Sequence, residues 1–445
     1  KHSEGMISSL KLSLLAGAVL PTAFGMGDVS NAKTSAYETI RAYVDSYAPK
    51  QQDMCSGTNC CTIGSSEACP LTAMPKDTTT MVMPGGETRC IYSYSTPFAF
   101  QVIPGASDKL IFYFQGGGAC WDEVSTKLGF CTSDASPQSL VGIFDRTNVN
   151  NRFKDYTIVQ VLYCSGDVYG GNTTRPYNDK DGVPVQQKGL ANAQSVLDWT
   201  AQQQASGALA STLSELIVMG CSAGSIGAQL WAKQVINGLK WSKAAVVPDS
   251  YAGIFPEGTA GPLVYEYGFC SSGFLSPALY DKCMNQTLTM QDMDMEFISA
   301  TPTVPYTFIQ SKTDDVQMSF YIAIGLTSHV EDPLINPTEF YNDVNEVFGV
   351  YNQLPNFVTY LVDGSHHCFT NQDLYYTADA MGPYDDGETN SGLMLSDWTN
   401  LVPLSNGEAQ NTVCEGDVQG ESLKAGDDNK YCSSHVVPKK FVEAY

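Results

Sequence analysis

Basic residues are scarce in this chain of 445 residues, which has 24 Lys and Arg against 47 Asp and Glu and a net charge of −23. Binding of nucleic acid or of an anionic membrane surface depends on clustered Lys and Arg, so the sequence argues against both kinds of partner. The charge also argues mildly against a strongly anionic substrate, and an uncharged or lightly charged acylated glycan fits better. A simpler interpretation is that the acidic balance keeps the protein soluble.

Apolar runs long enough to cross a bilayer are also missing. The best candidate, between Met6 and about Ala23, is well short of the about 20 residues that a span needs, and Pro21 closes its apolar stretch. A lone Lys, a short apolar stretch and small residues predict a secretory signal peptide, and we assign residues 1–30 to signal peptide and leader. The expected location is extracellular, with no stable membrane insertion after signal removal.

The 14 cysteines are too many for a typical cytosolic protein, and no Cys-x-x-Cys motif pairs with a second one. Disulfides are therefore expected rather than zinc, and no metal or organic cofactor is predicted. Residues 50–95 predict a disulfide-rich N-terminal layer, whereas we interpret Cys221 as a small buried filler. Two sequons, at Asn172 and Asn285, are compatible with glycosylation.

Strand-like and helix-compatible segments alternate along the chain. The strand-like runs are 109–114, 156–163, 214–219, 243–248, 304–310 and 357–362, and the helix-compatible stretches are 188–204, 225–239 and 316–325. This pattern predicts one α/β domain over residues 31–400, with an α/β-hydrolase-like, mostly parallel sheet flanked by helices. Residues 250–303 predict an insertion near the active site, whose methionines either line an acyl pocket or fill the core. Residues 401–445 are interpreted as a polar tail.

The most informative motif is Gly-Cys-Ser-Ala-Gly at residues 220–224, directly after the apolar run 215–219. A nucleophile elbow places its serine on a tight, strained turn between a strand and a helix, so small residues must flank the serine. The motif predicts Ser222 as a nucleophile, and an ordinary strand-to-helix turn is the alternative.

A run of three glycines, Gly116–Gly118, follows the predicted strand 109–114. Glycines leave backbone N–H groups uncovered, and the N–H of the residue after the nucleophile, here Ala223, completes an oxyanion hole. A flexible loop or a phosphate cradle is the alternative, but Gly-Lys-Ser/Thr and Gly-x-Gly-x-x-Gly are both absent.

Chain order in α/β-hydrolases places an acid and then a histidine after the serine. Among only five histidines, His366 and His367 follow the last predicted strand, and adjacent side chains in an extended loop point in opposite directions. One of the two is therefore expected to be the base. For the acid, Asp314 and Asp315 follow the strand 304–310, and Asp249, after the strand 243–248, is a rival.

Five sequence blocks within residues 85–400 resemble, in order and spacing, those of the pectin acetylesterase/Notum family. The blocks are Phe114–Trp121, Tyr163–Val168, Gly220–Ser225, Thr313–Gln317 and Ser365–Cys368. The resemblance implies the nucleophile Ser222, the acid Asp314, the base His367 and an oxyanion hole of Gly117, Gly118 and Ala223. It also implies ester hydrolysis, because the family removes acetyl groups from pectin or, in the Notum branch, palmitoleoyl from a signalling protein.

The sequence thus predicts a secreted serine esterase that forms an acyl-enzyme and acts on O-acetyl groups of extracellular polysaccharide. One alternative is an esterase for longer acyl chains on a lipid, polyester or acylated protein. Another, of a different class, is a non-catalytic secreted binding module on the same fold. The expected partner is an acylated glycan or other ester substrate, and the expected state is a monomer.

Overall fold

The computed structural model describes residues 26–47, 55, 59–64, 68–362, 364–378, 394–401 and 413–414. Residues 1–25 of the predicted signal peptide and leader and most of the predicted tail lie outside these residues, whereas residues 26–30 are described and are helical. The strands are β1 (Asn59–Thr62), β2 (Thr80–Met83), β3 (Phe100–Ile103), β4 (Ala106–Phe114), β5 (Tyr156–Val161), β6 (Thr173–Asn178), β7 (Pro184–Gln187), β8 (Glu215–Cys221), β9 (Ala244–Asp249), β10 (Tyr306–Ser311), β11 (Phe357–Val362) and β12 (Val413–Cys414).

The helices are α1 (Met26–Tyr47), α2 (Glu123–Leu128), α3 (Gly189–Ala205), α4 (Ala223–Gly238), α5 (Ala260–Glu266), α6 (Pro277–Met284), α7 (Met290–Ala300), α8 (Asp315–Thr327), α9 (Pro337–Tyr351), α10 (Leu374–Thr377) and α11 (Leu395–Leu401). None of the helices in the described part of the chain is long and apolar enough to span a membrane.

Ten strands form one sheet in the order β1-β2-β3-β5-β4-β8-β9-β10-β11-β12. β3 is antiparallel to both of its neighbours, and the other neighbouring pairs are parallel. The mostly parallel α/β sheet predicted from the sequence is therefore confirmed. Because ligands of such sheets bind at the carboxyl ends of the strands, the loops after β4, β8, β10 and β11 define the edge where a site is expected.

Two hydrophobic cores cover the two faces of the sheet. Alternate side chains of β4 pack into the two cores: Leu110, Phe112 and Phe114 into one, and Ile111 and Tyr113 into the other. The same alternation holds along any strand, because successive side chains point to opposite faces. Burial on both faces explains why the central strands are continuous apolar runs in the sequence.

The predicted strands correspond to β4, β5, β8, β9, β10 and β11, and the predicted helices to α3, α4 and α8. Residues 250–303 contain α5, α6 and α7. The Cys-rich stretch 50–95, in which the sequence shows no periodicity, contributes β1 and β2 to the sheet. Each is only four residues long, too short for a period of two to be recognised.

The twelve cysteines with described side chains form six disulfides. The pairs are Cys55–Cys60, Cys61–Cys69, Cys90–Cys164, Cys120–Cys131, Cys221–Cys368 and Cys270–Cys283. The prediction of disulfides is thus confirmed. The interpretation of Cys221 as a filler is wrong, because its bond to Cys368 joins the end of β8 to the loop after β11.

Candidate active site

Ser222 lies at the sharp turn between β8 and α4, with φ 58° and ψ −122°. A non-glycine residue rarely adopts this conformation, so the turn is strained. A Cβ on Gly220 would lie 2.1 Å from the carbonyl oxygen of Gly224, and one on Gly224 would lie 2.0 Å from that of Phe114. Both motif glycines are therefore required by close backbone contact, and the geometry is that of a nucleophile elbow.

The glycine run after β4 lies beside this turn. Gly117 and Gly118 have φ values of 145° and 76°, which only glycine adopts without strain. Within the described part of the chain, the N–H groups of Gly117, Gly118 and Ala223 have no backbone acceptor. Gly118 and Ala223 line the same cavity as Ser222. These N–H groups are thus available to a ligand, as an oxyanion hole requires.

His367 and Asp314 meet at the carboxyl ends of β11 and β10. The His367 Nδ1 atom lies 2.9 and 2.8 Å from the two carboxylate oxygens of Asp314, which is completely buried. The same carboxylate accepts hydrogen bonds from the backbone N–H and the side-chain amide of Gln317, each at 2.9 Å. A carboxylate held this way fixes the orientation and tautomer of the imidazole.

The opposite nitrogen of the ring, His367 Nε2, is buried and has no hydrogen-bond partner among the described residues. In the tautomer whose Nδ1 donates to Asp314, a neutral imidazole bears its lone pair on Nε2, the atom that a general base uses.

The three alternative site residues, Asp249, Asp315 and His366, have surroundings different from those of Asp314 and His367. The Asp249 carboxylate accepts from the N–H groups of Phe369 and Thr370 at 2.9 and 2.7 Å, so it anchors the loop after His367. Burial raises the pKa of Asp249, and the hydrogen bonds from Thr370 and Phe369 oppose this effect. Asp315 and His366 are exposed. Of the predicted acids, the structure brings Asp314 alone to the imidazole.

A cavity of about 90 Å³ reaches Ser222 and His367. Its walls are mostly apolar and include Ile226, Leu230, Phe255, Leu263, Phe269, Met290, Met293, Phe320 and Ile324. Several of these residues belong to α5 and α7, within the predicted insertion. Met290 and Met293 are among them, so two of its methionines line this cavity as well as filling the core.

Two tyrosines of α1 lie at the site, and the sequence reasoning misses them. The ring centroid of Tyr43 lies 4.8 Å from that of His367, and an ideal Cβ on Gly116 would lie 2.6 Å from the Tyr43 hydroxyl and 2.8 Å from the Tyr47 hydroxyl. Tyr47 is hydrogen-bonded to Tyr43 at 3.3 Å. The available signal was their spacing of four residues, which places both on one face of a helix.

Comparison with known proteins gives three findings. A family described as Pectinacetylesterase matches residues 95–332, more than half of the chain. No curated protein matches the chain by sequence. Among solved structures, the chain is similar to the Wnt deacylase Notum from Drosophila, with 16% identity, a TM-score of 0.44 and coverage of 70% of this chain and 91% of that one.

Proposed function

Because this chain belongs to the pectinacetylesterase family, we propose that it is a serine esterase with Ser222 as nucleophile, His367 as base and Asp314 as acid. The observation that carries the proposal is the pairing of His367 Nδ1 with the buried Asp314 carboxylate at 2.8 and 2.9 Å, beside a serine on a strained elbow. These features rarely coincide by packing alone, because a buried carboxylate and a strained serine are both costly to maintain.

In the proposed reaction, His367 Nε2 takes the proton of the Ser222 hydroxyl while Oγ attacks the ester carbonyl carbon. The N–H groups of Gly117, Gly118 and Ala223 stabilise the negative charge on the carbonyl oxygen. The tetrahedral intermediate releases the alcohol, which receives the proton from His367. Water, deprotonated by His367, then hydrolyses the acyl-enzyme and restores Ser222.

The cavity beside Ser222 bears on the acyl group. An acetyl group contributes a single methyl beyond the carbonyl and would cover little of an apolar wall that runs from Leu230 to Met293 and Phe320. An alkyl chain would cover that wall, and each Å² of apolar surface removed from water stabilises the complex by about 25 cal/mol. The cavity therefore favours an acyl chain of several carbons over acetyl, and with it the longer-chain alternative over acetylated polysaccharide.

An extracellular location is part of the proposal. The six disulfides support it, since disulfides persist in oxidising compartments. Asn172 and Asn285 are both exposed, as glycosylation would require.

The experiment is hydrolysis of p-nitrophenyl acetate, butyrate and octanoate by the parent protein and by Ser222→Ala. We expect turnover by the parent, a higher kcat/KM for butyrate or octanoate than for acetate, and loss of at least about 10³-fold in the variant. A preference for acetate would restore the acetylesterase prediction. Equal turnover by Ser222→Ala would contradict the proposed nucleophile, and absence of turnover by the parent would favour the non-catalytic binding module.

A further inference from the structure

The segment that leads to His367 is bound to the strand and loop that carry the proposed acid. The Ser311 hydroxyl, at the end of β10, donates to the carbonyl oxygen of His366. The backbone N–H of Asp315 donates to the carbonyl oxygen of Ser365 at 3.2 Å. These contacts fix the imidazole relative to the acid, whereas the nucleophile lies on a different turn, the one after β8.

The segment after His367 is bound to the strands on the nucleophile's side. Cys368 is joined by a disulfide to Cys221, the last residue of β8, and its backbone N–H donates to the Ser250 hydroxyl at 2.9 Å. Cys221 directly precedes Ser222, and Cys368 directly follows His367. The disulfide therefore connects the backbone beside the nucleophile to the backbone beside the base.

The backbone at both ends of this connection has an unfavourable conformation. Ser222 has φ 58° and Cys368 has φ 69°, in the left-handed region that non-glycine residues rarely adopt. Such conformations persist only where the surrounding contacts hold the residue in place. For Cys368 these contacts include the disulfide and the hydrogen bond to Ser250, so loss of the disulfide would allow the backbone beside His367 to relax.

The disulfide is enclosed by the protein, because Cys221 and Cys368 are both completely buried. Two tyrosines of α1 lie against it. The Tyr43 hydroxyl is 3.9 Å from Cys368 Sγ. The Tyr47 hydroxyl is 4.0 Å from Cys221 Sγ. A thiolate must reach a sulfur atom to exchange with a disulfide, so the burial argues against a redox switch and for a permanent connection.

We propose that the Cys221–Cys368 disulfide is a positioning element of the catalytic site, which holds the His367 imidazole where its Nε2 atom can reach Ser222. The proposal rests on the proposed function. The hydrogen bonds to the acid's side constrain Nδ1, and the disulfide supplies the matching constraint on the nucleophile's side. A displacement of about 1 Å can lower a rate about 100-fold, so loss of the disulfide should affect turnover more than substrate binding.

The test removes the disulfide in the double variant Cys221→Ala/Cys368→Ala. The matched control is Cys90→Ala/Cys164→Ala, which removes another buried disulfide. The two bonds span 147 and 74 residues, and stabilisation by a disulfide depends on loop length only logarithmically. The thermal midpoints of the two double variants should therefore fall by similar amounts. Only the first pair of cysteines adjoins the nucleophile and the base.

With p-nitrophenyl butyrate at 25 °C, we expect Cys221→Ala/Cys368→Ala to lower kcat roughly 10- to 100-fold, with KM within about threefold of that of the parent. Each single variant also breaks the bond. Each should therefore lose as much kcat as the double variant, so that the losses do not multiply in a double-mutant cycle. The control Cys90→Ala/Cys164→Ala should keep the parent kcat within about twofold.

Covalent labelling separates a misplaced base from a partly unfolded protein. Diethyl p-nitrophenyl phosphate reacts with an activated serine, so the final extent of labelling counts intact sites and the rate reports on the base. We expect Cys221→Ala/Cys368→Ala to reach one label per chain, at a rate reduced in step with kcat. If this variant does not fold, Cys221→Ser/Cys368→Ser, whose side chains are closer in size to cysteine, takes its place with the same expected result.

Equal kcat values and labelling rates in the variants of the two disulfides would overturn the proposal. Incomplete labelling at the parent's rate would overturn it as well, because the bond would then act on folding alone. Single-variant losses that multiply in the double variant would also overturn it, because the side chains and not the bond would then matter.

Labelling of Ser222 in the parent, and its absence in Ser222→Ala, is measured in parallel. If that labelling fails, the proposed function falls and this proposal with it. If it holds, any of the three contrary results overturns this proposal alone.

Discussion

Asp249 is the last residue of β9, Asp314 follows the neighbouring parallel strand β10, and both side chains are completely buried. They nevertheless bind different donors: Asp314 receives the His367 imidazole and Gln317, and Asp249 receives the backbone N–H groups of Phe369 and Thr370. One carboxylate therefore orients a ring, whereas the other holds the loop that carries the ring. Burial at a strand end therefore does not by itself identify the aspartate that orients a histidine. The group that donates a hydrogen bond to the carboxylate identifies it.

The largest expected effect distinguishes the two adjacent histidines in that loop. His367→Ala should lower kcat by about 10⁴-fold or more, because it removes the proposed base. His366, which is exposed, should tolerate alanine with measurable turnover and at most a raised KM. Steady-state kinetics with one p-nitrophenyl ester measures both. A silent His366→Ala beside an active His367→Ala would assign the base to His366.

The next effect separates the two aspartates by activity. Asp314→Asn should lower kcat by roughly 10³- to 10⁴-fold, since an amide favours the wrong imidazole tautomer. Asp249→Asn should cost only a few-fold, through loosening of the loop. The comparison of the two kcat values is the measurement. If Asp249→Asn lowered kcat more than Asp314→Asn, the prediction would be wrong, and the acid would be the aspartate of β9.

The stability of the two variants should follow the opposite order, with Asp249→Asn less stable than Asp314→Asn. The Asp249 carboxylate accepts two hydrogen bonds from backbone N–H groups and two from hydroxyl groups. The side-chain NH2 of an asparagine in its place would face some of these donors with donors of its own. We expect Asp249→Asn to lower the free energy of unfolding by about 2–3 kcal/mol, as for hydrogen bonds to a charged group. Urea unfolding followed by circular dichroism measures this, and an unchanged midpoint would remove the structural role assigned to Asp249.

The smallest effect is that of Asp315→Asn, the matched control. Asp315 is exposed, and surface substitutions usually change stability by no more than about 0.5 kcal/mol. Its kcat should equal that of the parent. A loss comparable to that of Asp314→Asn would show that proximity to the site, and not the imidazole contact, explains the aspartate effects.

The sequence alone predicts the features that depend on the local pattern of residues. The apolar runs of β4, β8, β10 and β11 and the small residues around Ser222 follow from burial on both faces and from a tight turn. The elbow, the glycine run and the strand ends that bear the aspartates could therefore be predicted.

The remaining features depend on contacts between distant parts of the chain. Residue pattern alone left Asp249 and Asp314 as rivals, because both follow apolar strands; only the path of the loop after β11 brings His367 to one of them. The interpretation of Cys221 as a buried filler is wrong because fourteen cysteines allow many pairings, and only the fold brings Cys368 beside it. Tyr43 was missed because the contact of its ring with His367 depends on how α1 packs against α8.

The central claim, that Ser222 is the nucleophile of this family member, is tested most directly by covalent labelling. The parent protein is treated with diethyl p-nitrophenyl phosphate, which transfers a diethylphosphoryl group to an activated serine, and the label is located by peptide mass spectrometry. We predict one diethylphosphoryl group per chain, on Ser222, and none in Ser222→Ala. An unlabelled parent chain, or a label on another residue that persists in Ser222→Ala, would contradict the account.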